Sequence, residues 1–158
     1  MMTLDEEVHQ IGWGGYVSAR MELDFDPVDL SSTASHEGVG LQAVLGNERL
    51  AVQRCSTAGS FTRCDEEAHI AVEGGVRVEL AYEPEHESAW ACVVHEDGSA
   101  AVLRLTDLAS SQAESWTLVG VAEATSCAVT VLPTGSLVAA VNTSEEVYVA
   151  QASIVELE

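Results

Sequence analysis

Trp90-Ala91-Cys92-Val93-Val94, then His95-Glu96-Asp97-Gly98, then Ala101-Val102-Leu103-Arg104-Leu105: within Ser88–Asn142 this stretch decides the fold. Thirty-seven residues on, the pattern returns as Cys127-Ala128-Val129-Thr130-Val131, Leu132-Pro133-Thr134-Gly135 and Leu137-Val138-Ala139-Ala140-Val141. Each copy is an apolar run, a turn whose glycine can take positive φ, and a second apolar run. That order is the signature of a β-hairpin.

Outward from this stretch the same grammar continues. Val17, Ala19, Met21, Leu23 and Phe25 alternate with Ser18, Arg20, Glu22, Asp24 and Asp26, a strand with one face buried, closed by Pro27. Asp29 to Gly38 reads as loop by composition. Leu41, Ala43 and Leu45 lead through Gly46-Asn47 to Leu50 and Val52, and Cys55 and Cys64 bracket a loop or hairpin turn. Ala68, Ile70 and Val72 run through Glu73-Gly74-Gly75 to Val76, Val78 and Leu80, which predicts another hairpin. Leu108–Glu114 reads as a connection before a run from Trp116 to Val121, and short strands are expected at Val147–Ala150 and Ile154–Leu157. Around Trp13, flanking glycines suggest a turn. No segment shows 3.6-residue periodicity.

The expected fold is all-β, a single domain over 1–158, with antiparallel hairpins forming a two-layer sandwich or a small propeller-like arrangement. Hairpins recurring at roughly 35 to 50 residues resemble the blades of a β-propeller. The resemblance covers Leu41 to Ala150 and lacks the Gly-His and Trp-Asp signatures of the WD-type blade. It implies at most four blades.

The charge is lopsided: 26 Asp plus Glu against 6 basic residues, all arginine, for a net charge of −20. Phosphate backbones and anionic membrane surfaces would repel such a chain, so neither nucleic acid nor membrane insertion is expected. Without lysine there is no phosphate-loop lysine and no Schiff base. This composition resembles that of proteins from halophiles and their viruses, whose carboxylates hold water while salt screens repulsion. Asp5, Glu6 and Glu7 stand where an export signal would carry positive charge, and no apolar run reaches the roughly 18 residues of a membrane span. The expected location is therefore cytoplasm or a virion.

Chemistry is harder to find. Glu83, Glu85, His86, Glu87, His95, Glu96 and Asp97 form the densest set of ligand types, yet an intervening strand holds the two histidines roughly 25 Å apart at ~3.3 Å per residue. Cys64 and His69 are zinc-ligand types with no partners in sequence. No Gly-x-Ser-x-Gly elbow occurs, and glycosidase-like carboxylate pairs cannot be told from surface charge. Trp90 reads as core, and Trp13 as the tryptophan with an exposed setting. Cys92 and Cys127 read as small buried hydrophobes; Cys55 and Cys64 read as free thiols of a reducing compartment, with a short disulfide across a hairpin as the alternative. No catalytic, cofactor-binding or metal residue is assigned, and no cofactor is expected.

The leading expectation is a non-enzymatic structural or interaction subunit of a larger assembly, such as a virion or appendage, adapted to salt, with other subunits or its own copies as partners. A β-domain binding carbohydrate or a divalent cation is the second reading. A hydrolase with carboxylates not identifiable from sequence is the third. The charge itself yields a prediction. Twenty net negative charges repel, and the screening length falls from about 10 Å at 0.1 M salt to about 3 Å at 1 M. The melting temperature should rise between 0.1 M and 2 M KCl; a flat or falling value in a calorimetric scan contradicts it.

Overall fold

The computed structural model describes residues 7–11, 17–34, 39–58, 61–85 and 87–154; Trp13, His86 and residues 155–157 of the expected last strand lie outside them. The fold is all-β. β1 (Glu7–Ile11) and β2 (Val17–Glu22) pair antiparallel. Three antiparallel meanders follow, each strand bonded to its sequence neighbour. The first is β3 (Asp29–Ala34), β4 (Val39–Leu45), β5 (Arg49–Ala58) and β6 (Phe61–Ala71). The second is β7 (Gly75–Glu83), β8 (Ser88–His95), β9 (Ala100–Asp107) and β10 (Gln112–Thr117), with a 3₁₀ turn at Leu108–Ser110. The third is β11 (Ser126–Leu132), β12 (Ser136–Asn142) and β13 (Val147–Ser153). Both hairpins of the opening stretch form, as β8–β9 and β11–β12.

The meanders stack face on face, with the second in the middle. Along β8, Ala89, Ala91 and Val93 pack toward Leu41, Ala43, Leu45, Leu50 and Val52 of the first meander. Trp90 and Cys92 point the other way, toward Val129, Leu137 and Ala139 of the third. A strand buried on both faces reads as one continuous apolar run, which is how β8 appears in sequence. The far face of the first meander is covered by Met21, Leu23 and Phe25 against Val44 and Ala51.

Four expectations are corrected. The strand expected to run to Asp26 ends at Glu22, and Leu23 and Phe25 cover the first meander from the irregular segment after it. Asp29–Ala34 is a strand and not loop. Its polar residues serve the neighbouring sheet: Asp29 Oδ2 accepts the Val78 N–H (2.9 Å), and Ser31 Oγ accepts the Leu80 N–H (3.1 Å) while donating to Glu79 (2.8 Å). β7 is an edge strand, and these side chains satisfy backbone donors that no neighbouring strand reaches. The alternating arms on either side of Gly74 do not pair; β6 ends the first meander and β7 begins the second. The link between them bonds to other turns instead, Val72 N–H to Glu48 O (3.0 Å), Gly74 N–H to Asn47 O (2.7 Å) and Glu96 N–H to Gly74 O (2.7 Å). Finally, β10 occupies Gln112–Thr117, taking in part of the expected connection and ending before Val121.

The second change of sheet, from β10 to β11, is fixed at the β8–β9 turn, where Ala124 N–H reaches Gly98 O (2.9 Å). Gly98 has φ +79°, and a Cβ there would lie 2.8 Å from Glu123 N and 2.9 Å from its Cα. Gly120 has φ +84° but faces open space. Gly98→Ala should therefore cost about 2–4 kcal/mol, positive φ plus backbone displacement, and Gly120→Ala only about 1–2 kcal/mol. Urea denaturation of both variants checks this, and equal losses would mean that the linker is not seated on Gly98.

Candidate functional site

The residues that sequence marked for chemistry are dispersed. Glu83 is buried and its Oε2 accepts the Trp90 indole N–H at 3.0 Å, while the Arg104 guanidinium lies 5.2 Å from the Trp90 ring centre. This is a buried structural network within β7–β10. Glu85, Glu87 and Glu96 are exposed, and Glu87 meets Arg54 at 3.5 Å. His95 Nδ1 donates to the Glu73 carbonyl (2.8 Å), and His86 lies outside the described residues. Asp97 is held below the usual carboxylate range by the Ser99 hydroxyl (2.6 Å) and then by the Ser99 N–H (2.9 Å). A general acid at neutral pH needs the opposite displacement, so Asp97 acts as a turn residue.

Glu48, Glu73 and Glu96, on three neighbouring turns, line a polar cleft of about 550 Å³ with Asn47. Among the described residues no three His, Cys, Asp or Glu side chains come together to hold a metal ion. The Cys64 and His69 pair is not assembled either, since Cys64 is bonded to Cys55 and His69 Nε2 sits 2.9 Å from Glu67. Trp90 is core, as its apolar strand indicated, and stacks on half-buried Trp116 with ring centres 5.8 Å apart.

The cysteines require a correction. All four are in disulfides, Cys55–Cys64 across β5–β6 and Cys92–Cys127 between β8 and β11. In the first pair the register sets Cys55 directly opposite Cys64. In the second, each cysteine belongs to one copy of the repeated hairpin, and stacking of the two sheets brings their Cα atoms to 6.0 Å. Spacing along the chain carries no trace of that stacking, which is why the two read as separate buried hydrophobes.

What the structure does assemble is a surface. In β11–β13, Cys127, Val129, Val131, Leu137 and Ala139 pack toward the middle meander. Alternation and register then turn Ser126, Ala128, Thr130 and Leu132 of β11, Ser136, Val138, Ala140 and Asn142 of β12, and Val147, Val149, Gln151 and Ser153 of β13 to the other side. No charged residue stands on that face, in a chain of net charge −20. Val147 and Val149 are 64% and 68% exposed. Beside it, where β13 and β10 diverge, Trp116 and Leu118 face Ala150 and Ala152 across an apolar slot of about 110 Å³. A sequence signal for this surface existed: from Ala124 to Ile154 the formal charges are Glu145 and Glu146, both in one turn.

Compared with known proteins, the chain matches no family model and no curated protein. Its chemistry is therefore read from its own residues. The sulfur assignment is directly testable. Thiol titration of unreduced, denatured protein should find none free, and reduction should cost about 3–4 kcal/mol at Cys92–Cys127, more than at Cys55–Cys64 with its shorter loop. Four titratable thiols would contradict the pairing.

Proposed function

We propose that this protein is a non-enzymatic interaction subunit of a larger assembly, working at high salt, and that the outward face of β11–β13 is where a second copy of the chain docks. The observation that carries the reading is the charge-free face with its exposed valines. Interface centres are depleted of charge, and exposed apolar side chains gathered on an uncharged face favour a contact. For a chain of net charge −20, that face is where two copies meet without burying carboxylates against one another. A two-fold contact sets Val138 and Val149 against their own kind.

The stacking supports the same reading. β7 packs against both β3 and β11, so the first strands of the three meanders adjoin, as in successive blades of a propeller-like arrangement. The open face of the last meander is where a further sheet belongs. The two disulfides favour an oxidising setting such as a virion or an extracellular appendage, in place of the reducing cytoplasm. The named carboxylates support no catalytic reading, being exposed on separate turns or, like Glu83, engaged in the core.

Three strands of seven residues offer on the order of 300 Å² per copy, well under the ~800 Å² of a standard interface. The pairwise contact is therefore weak and is completed by repetition in an assembly. Sedimentation should show monomer at 0.1 M KCl and concentration-dependent association at 2 M, where charge is screened and apolar burial strengthened. Val138→Lys with Val149→Lys should abolish the association without lowering the melting temperature by more than a few degrees. Association unchanged by this pair would remove the face from consideration.

A further inference from the structure

The outer edge of the third meander is unfinished in a way the other two are not. Among the described residues the first and second meanders have four strands and the third has three. β13 pairs with β12 on one side, and among the described residues no strand pairs with its other side over the seven residues Val147–Ser153. Native edges are blunted by charge, proline or a covering element. β6 follows that rule, because the Leu108–Ser110 turn packs beside it and Ser111 Oγ accepts the His69 N–H (3.2 Å). β13, Val-Tyr-Val-Ala-Gln-Ala-Ser, carries neither charge nor proline.

The slot lies on the inward side of β13, between it and β10, where inward side chains of a strand added beside β13 would point. Its walls are Trp116 on β10, Leu118 just after it, and Ala150 and Ala152 on β13, with Leu137 and Ala139 as floor. Two alanines leave β13 too small to reach β10, so the gap stays open and apolar. About 110 Å³ suits a branched aliphatic side chain, given that an apolar cavity of ~150 Å³ holds a benzene. At one end of the strand the Thr143–Glu146 turn carries Glu145 and Glu146, and Arg104 is the last basic residue of the chain.

We infer that β13 accepts a single extended strand from a partner protein, with aliphatic side chains at alternate positions filling the slot between β13 and β10, and with lysine or arginine at its ends. This deepens the reading of β11–β13 as the contact sheet, but it uses the edge and the inward side, where the self-contact uses the outward face. Main-chain hydrogen bonds to β13 supply affinity and the slot supplies selection, the division of labour in β-strand addition. The acidic turn and the net charge favour basic ends by steering and by direct attraction.

The probe is a blocked nine-residue peptide, Lys-Val-Thr-Val-Thr-Val-Thr-Val-Lys, added to the full chain with its disulfides intact. Expected are saturable binding at 0.1 M NaCl, a shift of tryptophan emission from Trp116, and slowed hydrogen exchange confined to Val147–Ser153. A version with glutamate ends should bind at least tenfold more weakly, with the difference closing at 1 M NaCl. One carrying N-methyl groups on every second residue should not bind. Ala150→Phe, which fills the slot, should weaken binding at least tenfold, while Val138→Lys with Ala140→Lys, both on the outward face of β12 and off the binding strand, should leave it intact; that contrast separates failure of the edge from failure of the face. If Ala150→Phe does not fold, the exchange pattern of the unaltered protein decides. No binding at 1 mM peptide, protection outside β13, or equal binding of all three peptides overturns the inference. So does protection of Val147–Ser153 that rises with protein concentration alone, which would assign the edge to a second copy.

Discussion

A β-sheet that is apolar on both faces has to be covered twice, and in this chain that requirement falls on β7–β10. Burial runs without a break from Ser88 to Val94 and from Ala100 to Leu105. One face is covered by β3–β6 and the other by β11–β13, and the order of the whole molecule follows from it. The most demanding group sits on the second face: Trp90, fully buried, needs an acceptor for its indole N–H and finds Glu83. Burying Glu83 beside Trp90 and Arg104 places charge within an otherwise apolar layer, which constrains how the third meander can lie. Trp116 then stacks on Trp90 and sets the depth of the slot.

Stacking also explains how edges and turns are used. A chain that folds as successive meanders must step from one sheet to the next, and each step exposes backbone groups. At the first step they are taken up by the β4–β5 and β8–β9 turns, and the glycines there allow the close approach, Gly75 lying where a Cβ would come within 2.8 Å of Leu45 Cδ1. Between the sheets, Asp29 and Ser31 of β3 do for β7 what a neighbouring strand would have done. Cys92–Cys127 ties the last interface covalently, across the layer where Trp90 is buried.

Legibility in the sequence followed sequence distance. Hairpins closed by short turns were visible, because the alternation and the turn glycine lie within a dozen residues: β4–β5, β8–β9 and β11–β12 all form where expected. Ala68–Leu80 carries the same local signature and yet divides between two sheets, since pairing across Gly74 and stacking across it ask for the same alternation. Asp29–Ala34 looked like loop because its polar residues face the edge of a strand nearly fifty positions away. The uncharged face of β11–β13 was partly legible, in the low charge of Ala124–Ile154, but which of those residues face outward depends on which face Cys127 and Val129 turn to Trp90. The tryptophan slot was illegible, being formed by the divergence of two strands from different sheets.

Charge and stacking together account for where this molecule leaves itself unfinished. Acidic residues need water or a buried partner, so apart from Glu83, which accepts the Trp90 indole N–H, a strongly acidic chain places them on turns and on faces that no sheet covers. Glu48, Glu73 and Glu96 sit on turns, and Glu145 and Glu146 occupy the single turn between β12 and β13. Were β11–β13 simply the last sheet of an isolated molecule, its outward positions would be the cheapest sites for carboxylates, which cost little stability there and add solubility. The twelve such positions instead hold only uncharged residues, six of them apolar: Ala128, Leu132, Val138, Ala140, Val147 and Val149. A face kept neutral against the composition of the whole chain, bordered by an edge strand free of charge and proline, is what the proposed covering of this sheet by a partner would account for.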